Sequence, residues 1–208
     1  MINFQKTYTL GLLVFVQTII FGQAYNFFPV NVDSIKGSGI DTFFIYKPYC
    51  YSDGIWFPEN ATEKEIHDNE CDQNNQTFVF YRIKGNTFVT KYNKCYKFYP
   101  IKINTSPTFS YFILHHTELM KDSISDASVK NKDGSLSIVG IDHSCYRNVY
   151  LFLNHSKNFN IDIYDFNKNV YTGRNINFKK NNKTHIKKLI DIIYTELEKL
   201  KFVQQADQ

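Results

Sequence analysis

Residues 136–200 read LSIVGIDHSCYRNVYLFLNHSKNFNIDIYDFNKNVYTGRNINFKKNNKTHIKKLIDIIYTELEKL, and this stretch sets the fold class. Val149, Leu151 and Leu153 place apolar groups on one face of an extended segment. Phe159, Ile161 and Ile163 repeat the alternation against Asn160 and Asp162. A period of two is the signature of a half-buried strand. The polar run Asn154-His155-Ser156-Lys157-Asn158 between them predicts an antiparallel hairpin. A further strand is expected over Leu136–Asp142, ahead of Cys145. After Gly173-Arg174 and a Lys/Asn run, the period changes. Ile186, Leu189, Ile190, Ile193, Leu197 and Leu200 form one apolar stripe at helical spacing. A helix over about residues 183–202 follows, capped by Asn182 or Thr184, and its stripe must dock on the sheet.

Working outward, strands are expected at Asp41–Tyr46, Thr77–Ile83, Thr87–Phe98 and Thr108–His116. A shorter one is expected near Ser123–Val129. Gly85-Asn86 and Lys132-Asp133-Gly134 punctuate them as turns. Seven to eight antiparallel strands in meander order fit an up-and-down β-barrel or a sandwich. Residues 47–76 are a long polar loop holding Trp56 and an acidic stretch. A loop of that length inside one domain suits a lid, or a segment pinned by a disulfide.

The chain has 208 residues, which bounds it to one domain, or at most one domain with an appendage. Residues 1–24 read as a signal peptide. Lys6 precedes the apolar run Leu10–Phe21, and Gly22-Gln23-Ala24 offers a cleavage site, leaving residues 25–208 as the mature domain. No later segment is long and apolar enough to span a bilayer. The expected location is therefore outside the cell or in a secretory lumen. The four cysteines, Cys50, Cys71, Cys95 and Cys145, then suit two disulfides, with all three connectivities open. Their spacing lacks the CxxC pairs of a zinc site, so no metal is expected. Asn-x-Ser/Thr sequons at Asn60, Asn75, Asn104, Asn154 and Asn182 are glycosylation candidates.

Net charge is +4, with basic and acidic residues interleaved along most of the chain. No arginine-rich aromatic stripe is present, so nucleic-acid binding is not expected. The basic run Lys179, Lys180, Lys183, Lys187 and Lys188 is expected to be a solvated helix face. No nucleophile elbow, P-loop, HExxH or paired-carboxylate motif is present, so no enzyme is expected. His115-His116 suggests a haem or metal contact, but on a strand only one of the two could face inward. No cofactor is expected.

Three segments resemble the lipocalin family, in the family's order. The first, residues 30–39 (VNVDSIKGSG), is similar to the N-terminal Gly-x-Trp motif, with Gly37 on the glycine and Gly39 where the tryptophan stands. The second, residues 139–146 (VGIDHSCY), is similar to the Thr-Asp-Tyr turn, with Asp142 matched. The third, residues 170–175 (VYTGRN), resembles the strand-end arginine motif at Arg174. The arginine's ring partner would have to be another aromatic, such as Phe43 or Tyr171.

The resemblance implies an eight-stranded barrel with a C-terminal helix that carries one small hydrophobic ligand, a lipid, retinoid, sterol or tetrapyrrole. Cavity candidates on one strand parity are Phe78 with Phe80, or else Val79 with Tyr81. Phe88, Thr90 and Tyr92 follow on the next strand. After them come Tyr111, Ile113 and His115, or Phe112, Leu114 and His116. Trp56 and Phe57 could cover the mouth. The alternative function is a secreted interaction protein whose outer face binds a protein partner, or a second copy as a homo-oligomer.

Overall fold

The computed structural model describes residues 32–50, 76–140 and 144–205, except 94 and 97, together with residues 60, 62, 63 and 65. The expected signal peptide, the Trp56 lid, Cys71, Asn75 and Asp142 lie outside the described residues.

A six-residue helix, α1 (Val32–Gly37), leads into β1 (Thr42–Cys50), β2 (Thr77–Ile83), β3 (Asn86–Tyr92) and β4 (Ile101–Ile103). Two helices follow, α2 (Pro107–Leu114) and α3 (His116–Lys121). Next come β5 (Ser128–Lys130), β6 (Leu136–Ile138), β7 (Cys145–Leu153) and β8 (His155–Asp162). A 3-10 turn (Ile163–Phe166), β9 (Asn169–Val170), β10 (Gly173–Arg174), α4 (Phe178–Asn181) and α5 (His185–Leu197) complete the chain.

Six strands form one antiparallel sheet in the order β4-β3-β2-β1-β7-β8. The expected β7–β8 hairpin forms, with a tighter loop than the polar run suggested. Leu153 faces His155 across Asn154, whose φ is 62°. β2 and β3 join through Lys84-Gly85, both at positive φ, the backbone of a two-residue hairpin turn. The longest pairing is β1 with β7, in register over nine residues from Thr42↔Leu153 to Cys50↔Cys145.

The chain is therefore mostly antiparallel β with a C-terminal helix, as expected. The sheet is open, with β4 and β8 at its edges, and no closed eight-stranded barrel is found among the described residues. One reason is local. The segment expected as a strand over Thr108–His116 is helical. Ser106 Oγ accepts from Phe109 N at 3.0 Å and Pro107 opens the first turn, two features that start a helix. The C-terminal helix is capped by Thr184, whose hydroxyl accepts from Lys187 N at 3.3 Å, and runs from His185 to Leu197 rather than to residue 202.

Both faces of the sheet are covered. On one, Phe44, Tyr46, Phe78, Phe80, Val89, Leu151 and Ile161 pack beneath α2, α3 and α5. Phe44 lies at the centre, its ring 4.5 Å from Phe80 and 5.3 Å from Phe112. Helix α5 docks through Ile186, Leu189, Ile190 and Ile193, the expected stripe. Its Glu196 carboxylate accepts from Ser106 Oγ and Thr108 N, both at 3.0 Å, tying α5 to the start of α2. On the other face Phe43, Ile45, Val79 and Tyr81 pack with Ile35 of α1. The C-terminal tail folds back along residues 98–99. Gln204 pairs with Phe98, and Tyr99 N donates to Val203 O at 3.1 Å.

The remaining strands build a small polar module beside the sheet. β5 pairs with β6 and β9 with β10. Asn175 joins them. Its amide nitrogen donates to the carbonyls of Tyr164, Asp165 and Asn167, and its oxygen accepts from Ser128 N and Asn177 N. Asp165 is buried under the same module and accepts from Ala127 N at 2.8 Å and Asp162 N at 3.0 Å.

Burial lifts the Asp165 carboxyl to about 6, with the Asp162 and Asp126 carboxylates adding to the rise and the two backbone donors opposing it. A raised acid binds more protons folded than unfolded between about pH 4 and 6. Its stability contribution is present at the acid end of that window and is lost as pH rises through about 6. Melting temperatures of the wild type and Asp165→Asn, compared from pH 4 to 7, should show the wild type losing ground to the variant across this window.

Candidate functional site

The apolar cleft lies where the end of the sheet meets the C-terminal helix. β1 contributes Tyr46 and Pro48, β2 contributes Phe78, α5 contributes Tyr194 and Leu197, and the tail contributes Phe202. Its volume is about 280 Å³. Phe78 reaches it because β2 alternates and Tyr46 lies opposite in register. The tail pairing with Phe98 brings Phe202 to 5.7 Å from the Phe78 ring. The Tyr194 ring stands edge-on to Tyr46 at 5.8 Å. Arg147 Nε donates to Tyr194 Oη at 2.8 Å, fixing that ring's position. The Tyr46 hydroxyl is buried beside Tyr194 and Arg147 without a hydrogen bond of ordinary geometry. Burial, reinforced by the neighbouring Tyr194 hydroxyl, pushes its pKa up, so the phenol stays neutral.

Among the described cavity candidates, Phe78 alone lines this cleft. Phe80 is fully buried and stacked on Phe44. Phe88 and Tyr92 belong to the opposite face of the sheet, with Tyr81. Tyr111 and Ile113 sit on α2, not on a strand. Tyr111 Oη hydrogen-bonds His185 Nδ1 at 2.9 Å, and His115 packs 4.8 Å from the His185 ring. Among the described residues no cluster of three or more His, Cys, Asp or Glu could hold a metal ion.

Gly37 ends α1 instead of entering a barrel strand. Arg174 is exposed on β10. Neither suggested ring stands over it: Phe43 packs 5.1 Å from Phe152, and Tyr171 lies 5.9 Å from Tyr164. Leu197 was legible as part of the helix stripe, but its place at a cleft was not. Phe202 carried no signal at all, because its position depends on the tail folding back against Phe98.

Cys50 and Cys145 form a disulfide with Cα atoms 3.8 Å apart, across the end of the β1–β7 pair. Cys95 is disulfide-bonded as well. Disulfides are at home in an oxidising compartment. No helix among the described residues is long and apolar enough to cross a membrane. Of the sequons, Asn60, Asn104 and Asn154 are exposed. Asn182 is half-buried, and its amide nitrogen already donates to Phe166 O and Phe178 O, both at 2.9 Å. A glycan on that nitrogen would replace one of those donors.

The basic run divides. Lys187 pairs with Asp191 at 2.6 Å, Lys180 donates to Ser125 Oγ at 2.8 Å, Lys183 and Lys188 are exposed, and Lys179 lines a second, cationic groove. Comparison with known protein families, curated proteins and solved structures finds no match for this chain.

Proposed function

We infer that the protein binds a small hydrophobic ligand in the Tyr46–Phe78–Phe202 cleft, as a secreted carrier. The observation that carries this reading is a cleft of about 280 Å³ walled mainly by apolar and aromatic side chains, with Gln76, Lys91 and Glu198 as its polar lining. The resemblance to lipocalins supports the same class of cargo. It also implies an eight-stranded barrel, which would require strands from outside the described residues, whereas the cleft lies beneath the terminal helix. The volume sits at the small end of ligand sites, which favours a single ring system or a short acyl segment over a sterol. A ligand burying roughly 250 Å² of apolar surface gains about 6 kcal/mol, so affinity should be in the tens of micromolar at best.

The test is fluorescence titration with the neutral probe 1-aminoanthracene, with mass spectrometry of organic extracts from detergent-free protein. Leu197→Trp places an indole at the half-buried rim of the cleft and should weaken probe binding at least tenfold while leaving the circular dichroism spectrum intact. An empty protein that takes up no probe, or a variant that binds as well as the wild type, overturns the reading.

A second reading, of an interaction protein, is favoured by Leu136, Ile138 and Tyr171, which are 62%, 70% and 81% exposed on the small module. Protein that stays empty and elutes as a dimer, with Ile138→Asp restoring the monomer, would support it.

A further inference from the structure

A second cavity, about 510 Å³ in volume, lies on the small module. β5, β10 and α4 enclose it. Val129 and Ile176 supply apolar lining, and Lys130, Arg174 and Lys179 line it as cations. All three cations are exposed, and none forms an ion pair with a described acid. Their approach depends on Gly173. A Cβ there would come within 2.8 Å of Val129 Cγ1, so only glycine lets β10 lie this close to β5. The walls are tied from behind by the five hydrogen bonds of buried Asn175. Arg174 immediately precedes Asn175 and Lys179 follows four residues after it, while Lys130 lies on β5, whose Ser128 N donates to Asn175 Oδ1.

Three uncompensated cations around a pre-formed concavity concentrate negative charge. Arg offers a planar fork to oxyanions and Lys a compact charge, the pairing that suits phosphate and sulfate groups. We propose that the Lys130–Arg174–Lys179 groove binds a ligand bearing clustered phosphate or sulfate esters. The groove is too large for one inorganic phosphate. Its volume suits a small organic body carrying two or more such groups. The site is separate from the apolar cleft and does not depend on it.

The test is isothermal titration calorimetry on the full chain at 50 mM and 200 mM salt. The probes are inositol hexakisphosphate, sucrose octasulfate, and phosphatidylcholine vesicles with and without 5% phosphatidylinositol bisphosphate. Binding of at least one anionic probe is expected, weakening severalfold between the two salt concentrations. Which probe binds identifies the source of the ester: soluble phosphate, sulfated sugar or lipid headgroup. Arg174→Gln with Lys130→Gln should weaken that binding at least tenfold. Lys183→Gln with Lys188→Gln removes the same charge from exposed positions outside the groove and should change it less than twofold. All four positions are exposed, so unchanged melting temperatures serve as the folding control. No binding by any anionic probe at 50 mM salt, or equal weakening by the two double variants, overturns the proposal.

Discussion

Phe44→Ala is expected to lower the unfolding free energy by about 4 kcal/mol, the middle of the range for a fully buried Phe. Phe44 has no exposed surface and sits where the sheet, α2 and α5 converge. Its ring stacks on Phe80 at 4.5 Å and meets Phe112 edge-on at 5.3 Å, so truncation removes two ring contacts along with the area term. The cavity would open beneath β1, the central strand, where neighbours pinned on both sides have little freedom to collapse. Domains of this size are stable by about 5–15 kcal/mol, so the variant should be marginal at 37 °C. Urea titration followed by circular dichroism measures it. A loss below about 1 kcal/mol would mean that Phe44 is not at the centre of the core.

Replacing Cys50 and Cys145 together by serine should cost a similar amount. The bond closes a loop with a sequence separation of 95, for which chain entropy predicts about 4.5 kcal/mol. For a domain of this size that lowers the melting temperature by about 10–15 °C. The location matters as much as the loop. The β1–β7 pairing is the seam between the first and last parts of the chain, and the disulfide closes one end of it. Without it, nine residues of long-range pairing must form against an open chain. Hydrogen exchange should therefore show the β1–β7 amides losing more protection than those of the local β2–β3 hairpin. Equal protection in both places would place the bond's effect elsewhere.

Much of this architecture was legible in the sequence, for a physical reason that applies to particular residues. Val149 to Leu153 and Phe159 to Ile161 alternate because one side of each strand must leave water, and Ile186 to Ile193 recur at helical spacing for the same reason. Thr184 marks its helix by capping it. Even cysteine number indicated disulfides. Each of these signals lies within a few residues of the structure it produces. The segment 107–114 was a misreading that local chemistry could have prevented. Apart from Thr108 and Ser110 it is apolar or aromatic throughout, and its Ser106-Pro107 start was the sign of a helix.

What the tertiary structure alone decided is everything that joins distant residues. Both faces of the central strands are buried, so alternation cannot say that Phe78 and Phe80 share one face while Phe88 and Tyr92 take the other. Nor can it say that Phe80 is sealed in the core while Phe78 reaches a cleft. The pairing of β1 with β7 and the choice of Cys145 for Cys50 depend on strand order. That order is set by which apolar faces can be covered together by α2, α3 and α5. Phe202 and Phe78, and Lys130 and Arg174, become neighbours only after those choices are made. Sequence periodicity determines which residues must be buried. Only packing determines against which partner, and both candidate sites lie at places where that packing leaves a gap.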